Sequence, residues 1–198
     1  MPIQWSHPRF GTLHYDGVWW RREIKIASLQ SFTYIDAAVR AYRSEPERFE
    51  LVFQCEPEDE QPNAEMAAIA STVLDNELQL VPDMLDAIWS DLNGQGPKSG
   101  MWWHGDLANA HGGGNGDSAV HDSLDDQELP MPTCANDLSK VLEPKNLTIR
   151  SHPSLPGHWL AEFNFHAGFD VEHGVGVLTD GVKILGIGYS SDVSLFEL

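Results

Sequence analysis

The chain changes its hydrophobic period twice, and that limits the folds open to it. Met66, Ile69, Ala70, Val73 and Leu74 fall at spacings of three, one, three and one, which places them on one face of an α-helix. Leu85, Ile88, Trp89 and Leu92 repeat the pattern in a second segment. On both sides the period is two. Glu23-Ile24-Lys25-Ile26 alternates before the helices, and Trp159, Ala161, Phe163 and Phe165 alternate with polar residues after them. Strands, then two helices, then strands do not make the repeating βαβ of a doubly wound sheet. They predict an α+β fold: a mostly antiparallel β-sheet with a pair of helices packed on one face and a long acidic loop.

Within one α+β domain over 1–198, four regions are expected. Residues 1–56 read as strands. Phe10–Tyr15 runs into an Asp16-Gly17 turn, a strong hairpin signal. Val18–Ala27 follows, with Trp20, Ile24 and Ile26 on its buried side. Phe32–Tyr42 fits either a strand or a short helix, and Phe49–Cys55 reads as a strand. Residues 61–93 form the helix pair, with Pro62 in the first turn, Pro82 near the start of the second helix and Asn93-Gly94 as its stop. Residues 94–144 lose all periodicity, apart from a helical turn near Asp137. A structureless loop of that length inside a domain is unusual, and is expected to be either functional or partly disordered. Residues 145–198 read as hairpins, one with its tip at Thr179-Asp180-Gly181.

Charge narrows the partners. The 198 residues carry a formal charge of −18, unevenly placed. Residues 1–53 hold 7 Lys/Arg and 6 Asp/Glu (+1), residues 54–143 hold 2 and 18 (−16), and residues 144–198 hold 3 and 6 (−3). Such a surface repels phosphate, so neither nucleic acid nor an anionic membrane is an expected partner; a basic protein or a cation is. The same charge also suits a plain solvated face. The first residues lack the basic and apolar regions of a signal peptide, and no window has the length of a membrane span. Cys55 and Cys134 make no disulfide framework and no zinc ribbon, as expected for a cytoplasmic protein.

The sharpest chemical candidate is Asp170-Val-Glu172-His173-Gly174, read as a tight turn, with His166 just upstream. Two carboxylates and an imidazole suit a divalent metal or an acid–base pair near neutral pH. The same residues suit a purely structural turn, with the carboxylates on backbone N–H groups and Gly174 supplying a positive φ. His104-Gly-Asp106 with His111 forms a second group, without the spacing of a helix-borne metal pair. Trp102 and Trp103, together with the acidic Asp122, Asp125 and Asp126 further along the loop, are candidates for a partner-binding surface, and the tryptophans also for core or loop anchors. No phosphate loop, nucleophile elbow or other common enzyme signature is present. No cofactor is implied beyond a divalent metal at 170–173.

The segment Phe163-Asn-Phe-His-Ala-Gly-Phe-Asp-Val-Glu-His-Gly-Val-Gly-Val resembles the end of an uncharacterised family of bacterial proteins. That family is similar in its aromatic-Asp-x-Glu-His-Gly turn, its Gly-Val strand and its closing hairpin. Asp16-Gly-Val-Trp19 and Asp137-Leu-Ser139 resemble further family segments, while Val171 departs from the family's frequent proline. Related domains are small immunity or antitoxin-type proteins. The resemblance therefore implies a non-enzymatic, protein-binding domain.

Overall fold

The computed structural model describes residues 3–32, 35–36, 41–42, 48–55, 61–96, 99–101, 104–105, 132–193 and 195. The C-terminal alternation from Trp159 to Phe165 becomes a strand, whereas the expected Val18–Ala27 strand stops at Glu23, so the alternating Ile24 and Ile26 lie beyond it. The chain also opens with a strand that the pattern did not announce. β1 (Gln4–His7), β2 (Gly11–Tyr15) and β3 (Trp20–Glu23) form an antiparallel meander. The turn between β2 and β3 is held by Asp16, whose Oδ1 accepts the N–H groups of Val18 and Trp19. Of the ambiguous Phe32–Tyr42 stretch, the described part is a small separate pair, β4 (Ile35–Asp36) with β5 (Ala41–Tyr42).

β6 (Glu50–Phe53) pairs antiparallel with β3 and parallel with β7 (Leu142–His152). From β7 the chain runs antiparallel through β8 (Leu155–Ala167), β9 (Asp170–Thr179), β10 (Ile184–Tyr189) and β11 (Asp192–Val193). The sheet order is β1-β2-β3-β6-β7-β8-β9-β10-β11, mostly antiparallel, so the architecture is α+β. Its one parallel pair is mid-sheet, and parallel neighbours need a long crossover. Both helices and the most acidic part of the chain lie in that crossover.

α1 (Ala64–Asp75) starts at Asn63, whose side chain accepts the Met66 N–H and caps the first turn. α2 (Glu77–Leu92) follows after Asn76 alone. It therefore begins earlier than the proline suggests, and Pro82 lies inside the helix rather than near its start. Pro82 itself is exposed, while Leu80 and Met84, two residues to either side, are buried on the opposite face. Each helix packs mainly on other elements: α1 on β7 and β8, α2 on β10 and two 3-10 turns.

One main core joins these layers. Leu51, Phe53, Leu147, Ile149, Ala161, Phe163, Phe165, Val175 and Val177 face Met66, Ala70, Val73, Met84 and Ile88. The alternate residues of the C-terminal strands face the other way, and there a second, smaller cluster forms from Leu160, Leu178 and Val193. β11 reaches it because Gly176 and Gly188 leave room; a Cβ on either would run into β11. The C-terminal half of the sheet is thus covered on both faces. β7 also begins at Leu142, ahead of the expected boundary at 145, and absorbs Pro144 at a register shift.

Candidate functional site

The expected 170–174 turn is displaced. Ala167 pairs with Asp170, so the chain reverses at Gly168 and Phe169, and Asp170 already opens β9. The next pair is Phe165 with Val175, so residues 171–174 bulge out of the ladder. Asp170 closes that bulge: its Oδ1 accepts the His173 N–H at 3.1 Å and meets His173 Nδ1 at 3.0 Å. Gly174 supplies the positive φ, +66°, that returns the chain to the strand. Of the four residues singled out, the structure brings together Asp170, which is buried, and His173, whose ring also lies 4.5 Å from that of Tyr189. Glu172 is exposed, and His166 is partly buried on β8, opposite Glu143 of β7. Among the described residues, no three His, Cys, Asp or Glu side chains gather in a way that would hold a metal.

A second Asp–His pair lies at the end of α2. Asp91, only 1% exposed, meets His104 Nδ1 at 2.7 Å and accepts the Ser99 hydroxyl at 2.9 Å. Its backbone carbonyl accepts the N–H groups of Gly94 and Gly105. Gly94 and Gly105 are close, and both have positive φ. Asp91 thus ties the chain down just before it leaves the described part at residue 106. The return is tied down as well. Asp137 accepts from the backbone and hydroxyl of Thr133 and pairs with Lys140 at 2.7 Å, within the 3-10 turn Ala135–Lys140. Buried Leu138 anchors that turn, which packs on α2. The lysine and threonine contacts hold the Asp137 carboxyl well below the usual range.

The two feet bracket residues 106–131. That interval holds Asp106, Asp117, Asp122, Asp125, Asp126 and Glu128 and no Lys or Arg. Trp102, Trp103, Asp106, His111, Asp122, Asp125 and Asp126 lie outside the described residues. The helix layer beneath has the same sign: α1 and α2 carry Glu65, Asp75, Glu77, Asp83, Asp86 and Asp91 and no cation.

The third polar group is on the sheet face away from the helices. Glu162, 1% exposed, pairs with Arg150 at 2.6 Å and accepts the Ser191 N–H at 2.8 Å. Asn164 accepts the Ser190 hydroxyl and the Ser191 N–H and donates to Asn146. Ser191, at φ +69°, is the only non-glycine residue with positive φ among those described. Burial pushes the Glu162 carboxyl up against the opposing pull of Arg150. The group fastens the β10–β11 turn to β8. Sequence alternation had marked Glu162 and Asn164 only as the polar side of a strand.

Compared with protein-family models, curated proteins and solved structures, the chain has no significant match to any of them. No helix among the described residues is long and apolar enough to cross a membrane.

Proposed function

We propose that the protein is a non-enzymatic protein-binding domain of the immunity or antitoxin kind, acting in the cytoplasm on a basic protein partner. The observation that carries this reading is the pair of feet on α2, which hold the chain on either side of the acidic interval 106–131. A binding segment works best when its ends are set by a rigid scaffold. The uniformly acidic helix layer adds a field of the same sign, which steers a cationic partner and repels nucleic acid. Trp102 and Trp103, next to the first foot, are the aromatic anchors, and Asp122, Asp125 and Asp126 supply the charge. The test is the association rate with a basic partner. Reversing Asp122, Asp125 and Asp126 to Lys is expected to slow association at least tenfold at low salt and to flatten its salt dependence. An unchanged rate removes the steering role.

A second reading rests on one feature of His173. With Nδ1 held by Asp170, Nε2 is the nitrogen left for a divalent cation, and Glu172 is exposed one residue away. Metal content measured on protein purified without a histidine tag tests it. Stoichiometric zinc or manganese, lost in a folded His173→Ala variant, supports a cation on His173 Nε2, with Asp170 orienting the ring and Glu172 the nearest exposed carboxylate in sequence. Metal-free protein that gains no stability from either ion discards it.

A further inference from the structure

β1 ends the sheet, and no described strand pairs with its outer edge. The Tyr15 N–H donates to the Ile3 carbonyl at 3.1 Å, and the register sets Gln4 opposite His14 and Ser6 opposite Thr12. In an antiparallel ladder the bonded pairs alternate. Ile3, Trp5 and His7 therefore turn their backbone groups toward β2, and Gln4 and Ser6 turn theirs outward.

Proteins blunt such edges with charge, with prolines or by making the edge strand very short. β11, at the other end of the sheet, has two residues and an exposed Asp192. β1 is longer and carries no charged side chain. Prolines limit it in one respect: Pro2 and Pro8, at the same parity as Gln4 and Ser6, have no N–H to offer. What is left is a window of two outward residues, centred on Trp5.

We infer that β1 pairs antiparallel with β1 of a second copy of this chain, across a two-fold axis at Trp5. Gln4 of each copy then faces Ser6 of the other, and the two pairs exchange about four backbone hydrogen bonds. None of these bonds needs an N–H at position 2 or 8. The prolines thus permit this register and prevent the pairing from lengthening. A two-fold contact of this kind uses up the edge on both copies and does not propagate into a fibre.

Two further observations favour a second copy as the occupant. Residues 1–53 carry +1 within a chain of −18, so this edge belongs to the region where two copies repel least. An open cavity of about 430 Å³ runs beside the strand, between Trp5 and His7 and the start of α1 at Asn63, Ala64, Ala67 and Ser71. Ile3, 56% exposed, and the half-buried Trp5 are the apolar side chains that a second copy would bring to it. The contact is small, so the dimer is weak, and salt strengthens it by screening the remaining charge.

The experiment is light-scattering mass across a dilution series up to millimolar protein, at low and high salt, for wild type and Ser6→Pro. Ser6→Pro removes an outward N–H and spares the backbone ladder with β2, losing only the exposed hydroxyl contact to Thr12. The wild-type mass is expected to rise toward twice the chain mass with concentration, more so in high salt. Ser6→Pro is expected to dimerise at least tenfold more weakly with an unchanged melting temperature. A wild type that stays monomeric throughout overturns the inference, as does a folded Ser6→Pro that dimerises equally well. If Ser6→Pro fails to fold, hydrogen exchange in wild type decides. Protection of the Gln4 and Ser6 amides must grow with concentration, and concentration-independent exchange overturns the pairing.

Discussion

Gly174 stands at φ +66°, and a Cβ there would press on the Phe165 carbonyl oxygen. Gly174→Ala is expected to destabilise the fold by about 2 kcal/mol in urea unfolding, because strain and contact act together. A change within a few tenths of that of wild type would mean the bulge adjusts freely. His104→Ala leaves the buried Asp91 carboxylate with Ser99 as its side-chain partner among the described residues. Such a loss is expected to cost about 3 kcal/mol, measurable in the same assay. Glu162 gives a pH signature. Its folded pKa is raised above 4.5 by burial, so the native state holds its proton more tightly than the unfolded state does. Its contribution is therefore fully present below 4.5 and is lost as pH rises through the raised value. Wild-type stability relative to Glu162→Gln is expected to fall across that window; a gap that widens with pH would contradict the assignment. The Asp170–His173 pair was legible in the sequence because its members are three residues apart. Asp91 was not, because its partner lies thirteen residues on. The available signal was an acid wedged between Ile88 and Leu92 on a buried stripe, where a charge requires a partner.

At the scale of elements, α1 depends on a cap. Asn63→Ala removes the acceptor of the Met66 N–H and is expected to cost about 1 kcal/mol, seen as a lower urea midpoint with an unchanged slope. No loss would show that packing alone sets the start of the helix. Both helices could be read from their stripes, since packing against a sheet requires that spacing. The start of α2 could not, because Pro82 was taken as a boundary marker, whereas the helix begins five residues earlier and runs on through it. β1 escaped notice because Gln-Trp-Ser-His has weak alternation and gains its order by pairing with β2. The β10–β11 cover was equally hidden. Nothing local in the sequence says which strand comes close to Gly176 and Gly188. The displaced turn has a similar cause: aromatic Phe169 occupies a reversal that the acidic residues beyond it seemed to claim.

For the whole molecule, the parallel β6–β7 pair explains why charge and fold are separated. A mid-sheet parallel pair demands a long crossover, and the chain places its helices and its acidic interval there, leaving both flanking meanders nearly neutral by comparison. Fold class followed from the order of periods. Function did not, because the residues proposed to bind carry no local pattern beyond their charge. The measurement that bears most directly on the account is a pull-down from native-host extract at low and high salt, run in parallel with the Asp122, Asp125 and Asp126 reversal, with captured proteins identified by mass spectrometry. The account expects one basic protein, retained by wild type at low salt, released at high salt and not retained by the reversed variant. A partner held equally by both proteins at every salt concentration would contradict it.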